Sequence, residues 1–395
     1  MIDDGIARHN TRALAAAQCL GGASPSIVIS LGGLVGHSLA PDPQWSTVPV
    51  SLLQLGLATG TIPAALLMQY AGRRTGYIIG GLVGVSAGCI AALGIFSSLF
   101  WVFCLGTWIA GMYGSFVQSY RFAAIDAASV AFRPKAISFV MTGGIIAGII
   151  GPQTVIWMRD IIPQAPFAGA FFGQALLAFS TIIAVSFLKP TPKPSIGKGG
   201  KGRPLRQIVR NPRFIAAVIA GLVSYCTMSF LMTAAPMAMV GCGYSVGYAA
   251  LGIQWHVLAM YGPSPFTGRL IGHFGKEVMA AVGLVLIGLS AVLFLAGEAL
   301  FNFWGGLILL GIGWNFSFIG ATALIADCYR PEERVKVQAT NDFTIFGAVA
   351  VASFSSGSLL HSGGWYLVNI ITFIPVVIGL ALIGFLAWRR AASTA

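Results

Sequence analysis

Apolar runs of about 20 residues, each long enough to cross the ~30 Å hydrocarbon core of a bilayer, recur along nearly the whole of this 395-residue chain. Twelve such spans can be delimited, at 12–35, 47–70, 76–97, 100–123, 136–157, 166–188, 213–239, 246–271, 277–297, 300–326, 336–360 and 365–388. Composition agrees: 9% of residues are charged, against about a quarter in a soluble domain. The expectation is an all-α membrane protein with twelve transmembrane helices.

Short loops rich in Lys and Arg stay on the cytoplasmic side. Basic residues fall at the N-terminus, at Arg73 and Arg74, at Arg133 and Lys135, through Lys189 to Arg213, at Arg269 and Lys276, at Arg330, Arg334 and Lys336, and at Arg389 and Arg390. These are alternate loops and both ends, and the opposite loops carry little beyond Arg159. Both termini are therefore expected in the cytoplasm. The net charge of +12 is accounted for by this basic rim, so no nucleic-acid partner is called for. The charged start (Asp3, Asp4, Arg8, Arg12) lacks a cleavage site and reads as retained. The six cysteines, Cys19, Cys89, Cys104, Cys226, Cys242 and Cys328, have no paired spacing and suggest neither disulfides nor zinc.

After six spans the sequence changes to Lys189-Pro-Thr-Pro-Lys-Pro and Gly197-Lys-Gly-Gly-Lys-Gly-Arg203, which cannot build a core and reads as a linker. It divides the chain into a six-helix bundle at 1–188, a cytoplasmic linker at 189–212 and a second six-helix bundle at 213–395. The halves echo each other. Gly72-Arg73-Arg74 answers the stretch from Gly268 to Lys276, and Asp126 with Arg133-Pro134 answers Asp327 with Arg330-Pro331. This pattern resembles the major facilitator superfamily, whose loop signature is Gly-x-Leu-x-Asp-Arg-x-Gly-Arg-Arg/Lys. Ala65, Gln69 and Tyr70 depart from it in the first copy and Gly272 in the second. The resemblance implies two six-helix pseudo-repeats around a midplane site opened alternately to each side. No phosphate-binding loop or catalytic arrangement is present to suggest ATP use or an enzyme, and no cofactor is implied. Gly143, Gly144, Gly148 and Gly151-Pro152 read as close packing and a bend.

Within the second half, Met228-Ser-Phe-Leu-Met232 and His256-Val-Leu-Ala-Met260 place soft ligands four apart, hence about 40° apart on one helix face. If the turn from Gly241 to Ser245 joins the two segments as a hairpin, Met228 is level with Met260 and Met232 with His256. Met pairs at helical spacing commonly serve packing. The distinguishing residue is His256, an ionisable group at about 18 Å from the turn, near the bilayer centre, where such groups mark a pathway or binding site. Thioether and imidazole donors select copper, with silver an equivalent and zinc less suited. The two motifs resemble those of the CcoA-like copper importers of bacterial inner membranes. That resemblance implies copper ligation by Met228, Met232, His256 and Met260, copper import for assembly of C-type haem–copper oxidases, and copper chaperones as partners alongside the lipid bilayer. Tyr120-Arg121-Phe122 with Asp126 is similar to the same family.

Other residues weighed are Met239 as a relay or packing residue, Cys242 as a copper-receiving thiolate or a plain turn residue, and Met112 and Met141 as packing residues. Asp342, beside Asn341, reads as a partner of Arg73 or Arg74, with proton coupling the functional alternative. Two rivals accompany copper import: a facilitator for organic solutes or drugs, with an aromatic and Met-lined cavity, and a non-transporting copper sensor or assembly factor.

Overall fold

A computed structural model describes residues 4–124, 126, 128, 129, 132–190, 202–330 and 333–394. The described residues form helices: α1 (Gly5–Gly21), α2 (Ser24–Leu39), α3 (Val48–Ala71), α4 (Arg73–Phe96), α5 (Phe100–Gln118), α6 (Tyr120–Ala123), α7 (Arg133–Met158), α8 (Ala168–Ser186), α9 (Leu205–Ile208), α10 (Pro212–Gly241), α11 (Val246–Tyr261), α12 (Ser264–Phe274), α13 (Lys276–Leu295), α14 (Leu300–Ala326) and α15 (Arg334–Thr394). The last is two helices meeting at Gly364, whose φ of +67° is non-helical. Ten segments among the described residues are long and apolar enough to span a bilayer. The difference from twelve has two sources. Spans eleven and twelve merge into one segment, Thr340–Leu386, across the Gly364 kink. Span eight, expected as a continuous helix over 246–271, is broken at Gly262–Pro263 into α11 and α12, each too short to qualify. Proline removes a helical N–H donor and its ring clashes with the preceding turn, so the break falls where the sequence places Gly-Pro.

The chain divides into two compact units, one of Met1–Ser195 with Gly243–Gln254 and the other of Ile196–Cys242 with Trp255–Ala395. In the first, α3 packs on α5, α4 on α5 and α8, and α1 on α7. Its core holds Tyr77, Tyr113 and Tyr120, and two of these phenols are satisfied internally. Tyr113 donates to Thr181 Oγ1 at 3.1 Å, and Tyr77 shares a 3.0 Å bond with Ser119 Oγ. In the second unit α13 packs on α14, and α10 lies between α14 and α15. Large apolar side chains such as Leu82, Trp101, Leu176, Phe301 and Val377 are exposed around both units, as a lipid-facing surface requires.

The sequence echo between halves reappears in the backbone. Gly72 (φ +83°) and Gly275 (φ +91°) each end one helix and open the next in a conformation that glycine alone adopts without steric cost. The basic residue after each glycine meets the echoed carboxylate of its own unit: Arg73 Nε lies 2.8 Å from Asp126, and Lys276 Nζ 2.6 Å from Asp327. Arg73, expected to pair with Asp342, meets Asp126 instead, and Asp342 accepts from the Asn341 amide at 3.2 Å.

Residues 191–201 of the expected linker lie outside the described residues. From Arg203 onward the chain is held. Ile208 of α9 is buried against Phe214, Ala217, Leu324 and Ile325, and Arg203 ties down Glu333. The fully buried Glu333 carboxylate accepts from the Arg203 backbone N–H and guanidinium at 2.8–2.9 Å and from the Arg330 N–H at 2.9 Å. The Arg203 bond foremost, then the Arg330 N–H, pull its pKa down to about 2. A depressed carboxylate contributes stability that is complete above its unfolded value of about 4.5 and is lost as pH falls toward 2. Glu333→Gln is therefore expected to lower the melting temperature of the detergent-solubilised protein by a constant amount above about pH 5, with the gap closing as acid approaches pH 2. A gap independent of pH would show that the charge of Glu333 is not what holds Arg203.

Candidate functional site

The four residues picked out by the soft-ligand motifs all belong to the second unit. Met228 and Met232 lie on one buried face of α10, at 3% and 5% exposure; His256 of α11 is fully buried and Met260 half-buried. The turn between α10 and α11 falls where expected, with Cys242 capping α10 and Gly243 at φ +88°. The His256 ring is held by Leu307 of α14, 2.8 Å from Nδ1. A carbonyl only accepts, so Nδ1 carries the proton and Nε2 of the neutral ring presents a lone pair. That nitrogen is buried with no hydrogen-bond partner among the described residues. Among the described residues, no three His, Cys, Asp or Glu side chains converge on a common point. Burial pushes the Cys242 thiol up, with Glu298 adding to it, which disfavours the thiolate that metal capture needs. Met239 is fully buried on α10, and Met112 packs in the first unit, where a Cβ on Gly60 of α3 would press on it.

Beside the methionines stands an arrangement that the motif search passed over. Tyr225 of α10, two turns before Met232 on the same face, is surrounded edge-on by Trp314 and Phe318 of α14 and Phe346 of α15. Ring centroids lie 5.4, 5.2 and 5.6 Å from it, and Trp314 and Phe318 are stacked with 13° between their planes. These distances are those of favourable aromatic pairs. Buried polar atoms without a partner among the described residues include Trp314 Nε1 in the cluster itself and Ser224 Oγ and Ser317 Oγ, each next in sequence to one of its rings. A box of four aromatic rings near the middle of three spans, with unsatisfied donors and acceptors beside it, has the composition of a site for a planar organic ring carrying polar groups.

Alongside the box, α14 supports the broken eighth span. A Cβ on Gly311 would lie 2.5 Å from the His256 carbonyl and 3.0 Å from the Met260 nitrogen, so the two backbones meet there. The next turn of α14 brings the fully buried Asn315, which donates to the Met260 carbonyl at 2.7 Å and to Ser264 Oγ at 2.8 Å and accepts from Thr267 Oγ1 at 2.5 Å. Pro263 interrupts the hydrogen bonding of this turn, and one amide side chain bridges the two sides of the break. Asn315→Leu is expected to cost about 1–3 kcal/mol, since the Met260 carbonyl would lose its partner and the half-buried Ser264 hydroxyl its donor, while Thr267 keeps its bond to the Pro263 carbonyl. Thermal unfolding of the purified protein checks this, and a melting temperature within a degree of the parent would mean that Asn315 does not hold the break.

The fold and this site define a polytopic transporter. The chain belongs to the Major Facilitator Superfamily, whose profile matches residues 13–295 and 257–395. It is 57% identical over 382 residues to the riboflavin transporter RfnT of Brucella anthropi, covering 95% of each chain. It is 30% identical over 392 residues to the uncharacterised transporter YddS of Bacillus subtilis, covering 91% of this chain and 88% of that one. Among solved structures, the nucleoside transporter NupG superposes with a TM-score of 0.73 at 14% identity over 96% of this chain and 99% of NupG, a likeness of fold.

These relationships correct the copper reading. A relative this similar from end to end carries an organic vitamin, so copper as cargo, copper chaperones as partners and a role in cytochrome oxidase biogenesis are withdrawn. The physical reason is that thioethers suit apolar, polarisable surfaces as well as they suit soft metals. Here Met232 shares its helix face with Tyr225.

Proposed function

We propose that this chain is a secondary transporter that takes riboflavin up across the bacterial inner membrane. The observation that carries the reading is the 57% identity with the B. anthropi riboflavin transporter over 95% of both chains. The Tyr225, Trp314, Phe318 and Phe346 box supports it, because a flavin is a flat tricyclic ring edged with amide-type donors and acceptors. In this reading Tyr225 and Trp314 stack on the ring, Met228 and Met232 form the adjoining soft wall, and His256 and Met260 belong to the same path. Translocation consists of exposing the bound ring alternately to the two sides, with both termini in the cytoplasm and residues 1–188 and 213–395 as the two repeats of the carrier.

The test is growth of a riboflavin auxotroph in medium with limiting riboflavin. Cells expressing the chain are expected to grow where vector controls do not, and excess riboflavin is expected to erase the difference. Equal growth of both strains at limiting vitamin, with the protein detected in the membrane, would refute the assignment.

A further inference from the structure

Resting on the riboflavin reading, we infer that His256 is the specificity-determining residue for the hydroxylated side chain of the substrate, accepting a hydrogen bond from a ribityl hydroxyl at Nε2. Three observations converge on it. The ring cannot turn freely, because Nδ1 donates to the Leu307 carbonyl at 2.8 Å and fixes the proton on that side. The opposite nitrogen is an acceptor, fully buried and without a partner among the described residues. A buried polar atom with nothing to bond carries a desolvation cost that a ligand group can relieve.

Position supplies the third. Leu307, Gly311, Trp314 and Phe318 recur at offsets of four, seven and eleven residues and so share one face of α14. The imidazole is anchored at the Leu307 end of that stripe, and the aromatic box begins at Trp314. Seven residues of helix separate them, about 10 Å. A flavin ring stacked in the box places its five-carbon polyol arm, which leaves the central ring, on the scale of that separation. The chemistry is matched in kind. Nε2 can only accept and each ribityl hydroxyl can donate; the one N–H of the flavin ring is the competing donor, and lumiflavin keeps it, so the comparison below separates the two. His256 is thus assigned to the arm and the aromatic box to the ring, so that discrimination between flavins with and without a hydroxylated arm resides in one side chain.

The experiment measures inhibition of radiolabelled riboflavin uptake in intact cells by unlabelled riboflavin and by lumiflavin, which keeps the tricyclic ring but has a methyl group in place of the ribityl arm. Wild type, His256→Gln, His256→Leu and His256→Met are compared at matched membrane levels. Riboflavin uptake by the wild type is the control for the functional reading itself, and its absence would overturn that reading before the histidine is considered. Given that uptake, His256→Leu is expected to weaken competition by riboflavin about tenfold while leaving lumiflavin within about twofold. His256→Gln, which retains a donor for Leu307 and an acceptor, is expected to recover part of the loss. If His256→Leu does not reach the membrane, His256→Met gives the same comparison, filling the volume without a nitrogen acceptor. Equal weakening of both flavins, or unchanged competition by both, would overturn the assignment of His256 to the arm.

Discussion

Trp314→Ala is expected to raise the KM for riboflavin uptake by on the order of 10- to 100-fold, with the protein still reaching the membrane. Aromatic stacking on a flat heterocycle contributes about 1–3 kcal/mol per ring, and the factor follows from that range. Trp314 is 8% exposed, stacks on Phe318 and meets Tyr225 edge-on, so the truncation also loosens two neighbours of the box. Trp314→Phe, which keeps a ring, is expected to stay within a few-fold of the parent, and Tyr225→Ala to resemble Trp314→Ala. Concentration-dependent uptake of labelled riboflavin gives the KM. Parental KM in both alanine variants would remove the box from the binding site.

Gly311→Leu is expected to lower membrane levels severely, because the new side chain would begin 2.5 Å from the His256 carbonyl and 3.0 Å from the Met260 nitrogen. Backbone atoms cannot yield as a flexible side chain can, so α11 would have to move off α14. That displacement would break the Asn315 bridge to Met260 as well as the Leu307 bond to His256. Overpacking of this kind costs about 1–3 kcal/mol and more where the obstacle is main chain. Gly272→Ala on α12, where nothing lies within 4 Å of the added Cβ, is the control and is expected to leave protein levels unchanged. Fluorescence-detected size exclusion of tagged variants reads both. Normal, monodisperse Gly311→Leu protein would contradict the close approach of α11 and α14.

Much of the fold was legible in the sequence because bilayer thickness imposes one length on every span. Apart from the broken eighth span, the helices follow the expected spans closely. The paired glycines at 72 and 275 and the carboxylates at 126 and 327 were visible as an internal echo, since a positive φ demands glycine and a basic loop residue needs a partner. The Gly262–Pro263 break was spelled in the sequence but hidden inside an uninterrupted apolar run, where hydropathy does not register a missing hydrogen bond. Its remedy, Asn315, sits 48 residues or more from the groups it satisfies and could be found only once α14 lay beside α11 and α12.

The candidate site was read less well, for a chemical reason. Met228, Met232, His256 and Met260 stand out within apolar spans, but side-chain softness is shared by metal sites and by surfaces that receive aromatic rings. Spacing along two helices could not distinguish them. The aromatic box is assembled from three helices far apart in sequence, and its members are individually ordinary residues of membrane spans. Two signals pointed toward it: Tyr225 falls on the Met232 face of α10, and Trp314 adjoins a polar residue, Asn315, in the middle of an otherwise apolar span.

Purified protein reconstituted into liposomes, supplied with radiolabelled riboflavin and copper-64 in parallel, tests the central claim most directly. The expected result is saturable accumulation of riboflavin that excess unlabelled riboflavin abolishes and added copper does not affect, with copper-64 at the level of protein-free liposomes. Accumulation of copper-64 above that level with no riboflavin uptake would contradict it.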